Sequence, residues 1–112
     1  MSYDVSLMDE SGIILEIPEA FQEGGTQIVG GTSLCDLNIT YNYFKCFGTL
    51  VRDLHGKVAH ETIQGLLDYC VNHAEELPEP DYWKSTHGNA AMAIRRLIRF
   101  ARAHPHGIWS VT

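Results

Sequence analysis

Along residues 2–8, SYDVSLM, apolar and polar side chains alternate, with Tyr3, Val5 and Leu7 on one side and Ser2, Asp4 and Ser6 on the other. A period of two predicts a half-buried strand. Asp9-Glu10-Ser11-Gly12 reads as a turn in which Gly12 is free to take positive φ. IILEI at 13–17 reads as a second short strand, so 2–17 is expected to form a hairpin, ended by Pro18 because proline lacks a ladder donor. EAFQEGGT at 19–26 is loop-like, with Gly24-Gly25 as its turn signal. Thr26-Gln27-Ile28-Val29 has the pattern of another brief strand, broken by Gly30-Gly31-Thr32-Ser33.

Alternation returns at 34–42. Leu34, Asp36, Asn38, Thr40 and Asn42 share one side, and Cys35, Leu37, Ile39 and Tyr41 the other. A strand here buries Leu37, Ile39 and Tyr41 and shows its Asn side chains to solvent. From Tyr43 the period changes: Phe44, Phe47, Val51 and Leu54, with Leu50 beside them, recur at helical spacing. The pattern predicts a helix of about three turns, with Asn42 as N-cap and Gly56 as its exit. A second helix is expected over 59–73, with Ala59, Thr62, Ile63, Leu66 and Cys70 as its stripe. Gly65 inside it weakens a helix by about 1 kcal/mol relative to Ala, which predicts close packing against a neighbour. LPEPDYW, from residue 77, is a stiff acidic connection. The third helix follows Ser85-Thr86-His87-Gly88-Asn89, with Ala90, Ala93, Ile94, Leu97, Ile98 and Ala101 facing the core and Arg95, Arg99 and Arg102 clustered away from it. His104-Pro105-His106-Gly107 stops that helix, and Ile108 to Val111 reads as a last strand. The expected architecture is α+β over 1–112 as one compact domain: a small antiparallel sheet, built from the N-terminal hairpin and the C-terminal strand side by side, covered by three helices.

Length and composition agree with one modest core: 112 residues, 45% of them apolar. No apolar run is long enough for a membrane span. The opening MSYDVSLMDE lacks the charged start and apolar stretch of a signal peptide, so a cytoplasmic location is expected. Three cysteines, Cys35, Cys46 and Cys70, do not suggest a disulfide framework. The formal net charge is -6, and residues 1–44 contain no Lys or Arg. That sign opposes phosphate backbones, so nucleic acid is not the expected partner.

Several residue groups carry candidate chemistry. Asn38, Asn42 and Tyr43 offer donors and acceptors to the edge of a base, a sugar or a peptide, against a structural role as strand and cap residues. His87 and Asn89 stand at a helix start, where backbone N–H groups accommodate an anion, against a simple cap. The six histidines show no HExxH, CxxC or finger spacing, and no metal or cofactor is expected. No nucleophile is tied to a base by any motif, so no catalytic residue is assigned. Trp83 and Trp109 are candidate interface anchors, against satellite core. Arg95, Arg99 and Arg102 are candidates for charge pairing at an interface.

NITYNY at 38–43, GKVAHETI at 56–63, DYWKSTHGNA at 81–90 and AHPHGIWSV at 103–111 together resemble a family of small uncharacterised bacterial and phage-encoded proteins. The resemblance implies a small α+β domain in which the Asn/Tyr segment and the GNA helix start recur together; if the two meet in space, they define one polar pocket. It implies no activity. The leading expectation is a non-enzymatic binding or protein-interaction module, such as a phage accessory protein, whose partner is another protein or a second copy of itself. The alternative is a small-ligand or nucleotide-binding protein, a hydrolase included, using a pocket between 38–43 and 87–89. On that alternative, Asn89→Ala weakens ligand binding and leaves stability nearly unchanged.

Overall fold

The computed structural model describes residues 2–17, 26–28, 34–81 and 83–112, with 26–28 described by backbone alone. The loop at 19–25, the breaks at Pro18 and 30–33, Val29 and Tyr82 lie outside the described residues.

Four antiparallel strands form one sheet: β1 (Ser2–Met8), β2 (Thr26–Ile28), β3 (Asp36–Thr40) and β4 (Ile108–Val111), in the order β2-β3-β1-β4. The alternation in β1 sets its faces, since Tyr3, Val5 and Leu7 are all buried. Its neighbours follow the same parity, with Val5 opposite Leu37 and Val111, and Leu7 opposite Trp109. The two terminal strands thus lie side by side, as expected.

The hairpin differs from the expected one. The turn forms as read: Asp9 Oδ1 accepts from the N–H groups of Ser11 (2.8 Å) and Ile13 (3.0 Å), and Gly12 takes φ 79°. Residues 13–17 then make only single bridges, Met8 to Ile14 and Glu16 to Leu34. Leu7, Leu15 and Cys35 meet in a three-way backbone junction. Leu7 donates to Cys35, Cys35 to Leu15 and Leu15 to Leu7, each at 2.9 Å. The long partner of β1 is therefore β3, whose apolar residues Leu37 and Ile39 are fully buried beside it.

The run at 43–54 is not one helix. A 3-10 turn at Tyr41–Tyr43 leads into a single α turn, α1 (Phe44–Phe47), and a second 3-10 turn follows at Arg52–Leu54. Gly48 interrupts the run at φ 59°, ψ -128°, a conformation only glycine takes without strain. Tyr43, Phe47, Val51 and Leu54 are the buried face, and Phe44 points outward. The cap is Thr40, whose Oγ1 accepts from the Asn42 N–H at 3.2 Å, which leaves the Asn42 side chain for another partner.

The long helices are α2 (Ala59–Asn72) and α3 (His87–Ala103). The first N–H groups of α2 are satisfied by a distant corner of the chain: Ala59 donates to Gly107 O (2.8 Å) and His60 to Pro105 O (2.9 Å). α3 is capped by Thr86 Oγ1, which accepts from Asn89 N–H at 3.2 Å. Its inner face is rich in alanine, with Ala90, Ala91, Ala93 and Ala101 buried among Ile94, Leu97 and Ile98. Helix and sheet side chains join in one core. Trp109, a candidate interface anchor by sequence, belongs to that core: its indole N–H donates to Thr62 Oγ1 (2.9 Å), which in turn donates to Ala59 O (2.7 Å). Gly65 is exposed with open space where a Cβ would stand, so close packing does not explain it. Among the described residues, no helix is long and apolar enough to cross a membrane.

Candidate functional site

Four of the residues singled out by sequence, Asn42, Trp83, His87 and Asn89, gather where α2 ends and α3 begins. Asn89, in the first turn of α3, is fully buried. Its Oδ1 accepts from Glu79 N–H (2.8 Å), and its Nδ2 donates to Asp81 O (3.0 Å) and Lys84 O (3.1 Å). Both amide protons and one carbonyl lone pair are therefore committed within the protein. From the sheet side, Asn42 Nδ2 donates to Trp83 O (3.0 Å), and Ser85 Oγ donates to Asn42 O (2.6 Å). The same connection passes so close to α3 that a Cβ on Gly88 would stand 2.3 Å from Leu77 O. Five side-chain hydrogen bonds and one glycine contact thus tie 77–81 and 83–85 down as an arch.

In front of the arch lies the polar outer face of β1 and β3. Asn38 Nδ2 donates to Ser2 Oγ and Asp4 Oδ1, each at 2.7 Å, and Ser6 Oγ donates to Asp36 Oδ1 at 3.0 Å. Burial raises the pKa of the Asp36 carboxyl; the Ser6 hydrogen bond opposes that shift and the nearby Asp4 charge adds to it. A cavity of about 380 Å³ lies here, lined by Ser2, Asn38, Thr40, Asn42 and Trp83. Behind the arch stands a second group. His73 and His87 stack with ring centroids 3.8 Å apart and planes 4° from parallel. His73 Nδ1 pairs with Glu76 Oε2. Tyr69 Oη lies 2.9 Å from His87 Nδ1 and donates to it in the Nε2–H tautomer. Burial, with the Cys46, Glu76 and Cys70 charges behind it, raises the Tyr69 pKa and keeps its hydroxyl protonated.

The structure therefore divides the sequence-predicted set. Asn38 and Asn42 share the front cavity with Trp83. His87 faces the opposite side, towards Tyr69 and His73. Tyr43 is fully buried in the core. Asn89 lies between, and its three internal hydrogen bonds predict that Asn89→Ala acts on stability, where the sequence reading expected stability nearly unchanged. Asn42 reaches the connection just before His87. Tyr69, His73 and Glu76 escaped the sequence reading as a group. The available signal was the spacing of Tyr69 and His73 four apart on one helix face.

The thiols and the exposed apolar side chains complete this region. Burial raises the pKa of all three thiols: Cys35 is pushed up to about 12, Cys46 is raised further by Glu76, and Cys70 is partly restored by Arg95. A neutral thiol is a poor nucleophile. Among the described residues, no three His, Cys, Asp or Glu side chains converge to hold a metal ion. Exposed apolar side chains, in contrast, collect around the arch. The large exposed hydrophobics among the described residues are Ile13, Phe44, Val71, Leu77 and Trp83. All but Ile13 belong to α1, the end of α2 or the arch. Further along α3, Arg95 and Arg102 are exposed and Arg99 is half-buried. With Leu67, Cys70 and Ile98 they line a groove of about 380 Å³ between α2 and α3. No family model, curated protein or solved structure matches the chain.

Proposed function

We propose that the protein is a non-enzymatic interaction module that docks a protein partner on the arch formed by 77–81 and 83–85, with Leu77 and Trp83 as the anchors. One observation carries this reading. Five side-chain hydrogen bonds fix the arch, yet Leu77 remains 82% and Trp83 58% exposed at its surface. Rigid display of apolar side chains lowers the entropy lost on binding, and burying each one contributes about 1.5–3 kcal/mol. Tryptophan is the residue type most enriched at interface hot spots. Glu75, Glu79 and Asp81 are exposed on the same stretch as the anchors, with Lys84 next to Trp83, so the complementary surface is an apolar pocket with a mainly basic rim. The three thiols support a reducing compartment such as the cytoplasm.

A photo-reactive amino acid at position 77 or 83 tests the proposal in cells that express the protein. Covalent adducts are expected at both positions and not at Gln64, an exposed position on α2. Trp83→Ala should weaken the captured interaction by roughly 30-fold or more, the effect of losing a hot spot worth about 2 kcal/mol. An arch that yields no adduct in a folded protein sinks the proposal. The front cavity favours a second reading, a neutral polar ligand held by Asn38, Thr40 and Asn42 under Trp83. Asn38→Ala separates the two, since it removes ligand binding on the second reading and leaves arch adducts intact on the first.

A further inference from the structure

We infer that the groove between α2 and α3 binds an amphiphilic anion, a ligand with an apolar body and an acidic head group. The body lies on Leu67, Cys70 and Ile98, and the head group meets the arginine row of α3. The groove shares no residue with the arch, so this site stands apart from the docking surface proposed above. Its cavity of about 380 Å³ is of small-molecule size. Its apolar floor is partly covered already: Ile98 is buried, and Leu67 and Cys70 are half-buried. Arg95, Arg99 and Arg102 complete the lining. Spaced four and three apart, they form one row along α3. A site divided into an apolar and a cationic part fits a ligand with the same division.

The charge distribution favours an anion here and opposes it over most of the remaining surface. The molecule carries a net charge of -6, yet four of its eight basic residues lie on α3. Arg95 and Arg102 are exposed, and neither enters an ion pair among the described residues. The positive charge reaches the groove floor, since burial raises the pKa of the Cys70 thiol and Arg95 opposes that rise. A guanidinium grips a carboxylate or phosphate with two parallel N–H donors, and its methylene stem adds apolar surface beside the floor. From Arg95 to Arg102 the row spans about 10 Å of helix, which sets the length of the apolar body. Val71, exposed one turn beyond Leu67 on α2, extends the apolar wall. A long acidic partner helix fits the groove less well. Glu61 and Asp68 are exposed on α2 and would meet it with like charge, whereas a single head group at the α3 edge avoids them.

Decanoate is the probe. Titration calorimetry on the whole chain should show saturable binding at one site per chain, and amide shifts in NMR spectra should concentrate at 67–71 and 95–102. Affinity should rise about fourfold per added methylene from hexanoate to octanoate, and level off once the chain outgrows about 10 Å. 1-Decanol lacks the charge and inorganic phosphate lacks the apolar body, so each should bind roughly 10-fold more weakly or worse. Added salt should weaken decanoate binding. Arg95→Gln/Arg102→Gln alters two exposed residues and should lower decanoate affinity by roughly 10-fold or more, with an unchanged circular dichroism spectrum. Decanoate that fails to bind, decanol or phosphate that binds as tightly, or shifts centred elsewhere overturns the inference. So does a folded double variant that binds decanoate as well as the natural chain. The first three results come from the natural chain alone and decide the matter even where the variant misfolds.

Discussion

Replacing Asn89 with alanine removes three hydrogen bonds through one buried side chain, those to Glu79 N–H, Asp81 O and Lys84 O. At about 1 kcal/mol per bond the loss approaches about 3 kcal/mol. Asp81 and Lys84 belong to exposed residues, so water can reach their carbonyls once the amide is gone, and the net loss falls to about 2 kcal/mol. An unfolding entropy of about 2.1 cal/mol/K per residue, over 112 residues, converts this into a drop in Tm of about 8 °C. Thermal and denaturant unfolding measure the global loss, and hydrogen exchange at the Glu79 amide measures the local one. Exchange there should accelerate, because Asn89 Oδ1 is the acceptor for that N–H. Asn89→Asp is the matched control. It preserves volume but turns a carboxylate oxygen towards two carbonyls, so it should be at least as unstable as the alanine variant at neutral pH and should recover on acidification. An alanine variant within about 0.5 kcal/mol of the natural chain, or an unchanged Glu79 amide, would refute the idea that Asn89 fixes the arch.

Three further outcomes follow from single positions. Gly65→Ala should stabilise the protein by about 0.8–1 kcal/mol, since open space surrounds the position and its helix gains a better former; a loss of stability in urea titration would contradict this. Gly88→Ala should destabilise by about 1–3 kcal/mol, because the new Cβ meets the Leu77 carbonyl at 2.3 Å; an unchanged Tm would mean the arch does not press on α3. Asp36→Asn concerns pH. Burial raises the carboxyl's pKa in the folded state, so its contribution to stability is complete below the unfolded value of about 3.9 and is lost as pH rises through the folded one. The Asn variant keeps an acceptor for Ser6 and stays neutral. It should therefore be more stable than the natural chain at pH 7, with the gap closing in acid; a natural chain that is the more stable at pH 7 would refute the sign.

Much of the fold was legible because local periodicity reports which side of an element is buried. The period of two in β1 and β3, and the apolar stripes of α2 and α3, were read directly from residues such as Val5, Leu37, Leu66 and Leu97. Periodicity is silent on which element covers a given face, so the N-terminal hairpin pairs over a shorter stretch than its spacing predicts, up to the junction of Leu7, Leu15 and Cys35. There, Cys35 shares the backbone bonds of the two arms, accepting from Leu7 N–H and donating to Leu15 O. The run at 43–54 misled for a local reason: its spacing is helical, but Gly48 adopts a conformation that apolar spacing does not encode. Asn42 and Asn89 show the same division at the candidate site. By sequence both were polar residues at element ends, suited to caps or to ligands. Only the folded chain decided that one reaches Trp83 and the other is sealed inside with three backbone partners. The sequence by itself determined the classes of element, the sign of the surface and the arginine row on α3, because these depend on residue type and spacing along one helix or strand. Tertiary structure decided the strand order, the buried place of Trp109 and the arch that leaves Leu77 and Trp83 in solvent, because each depends on groups far apart in the chain competing for the same partners.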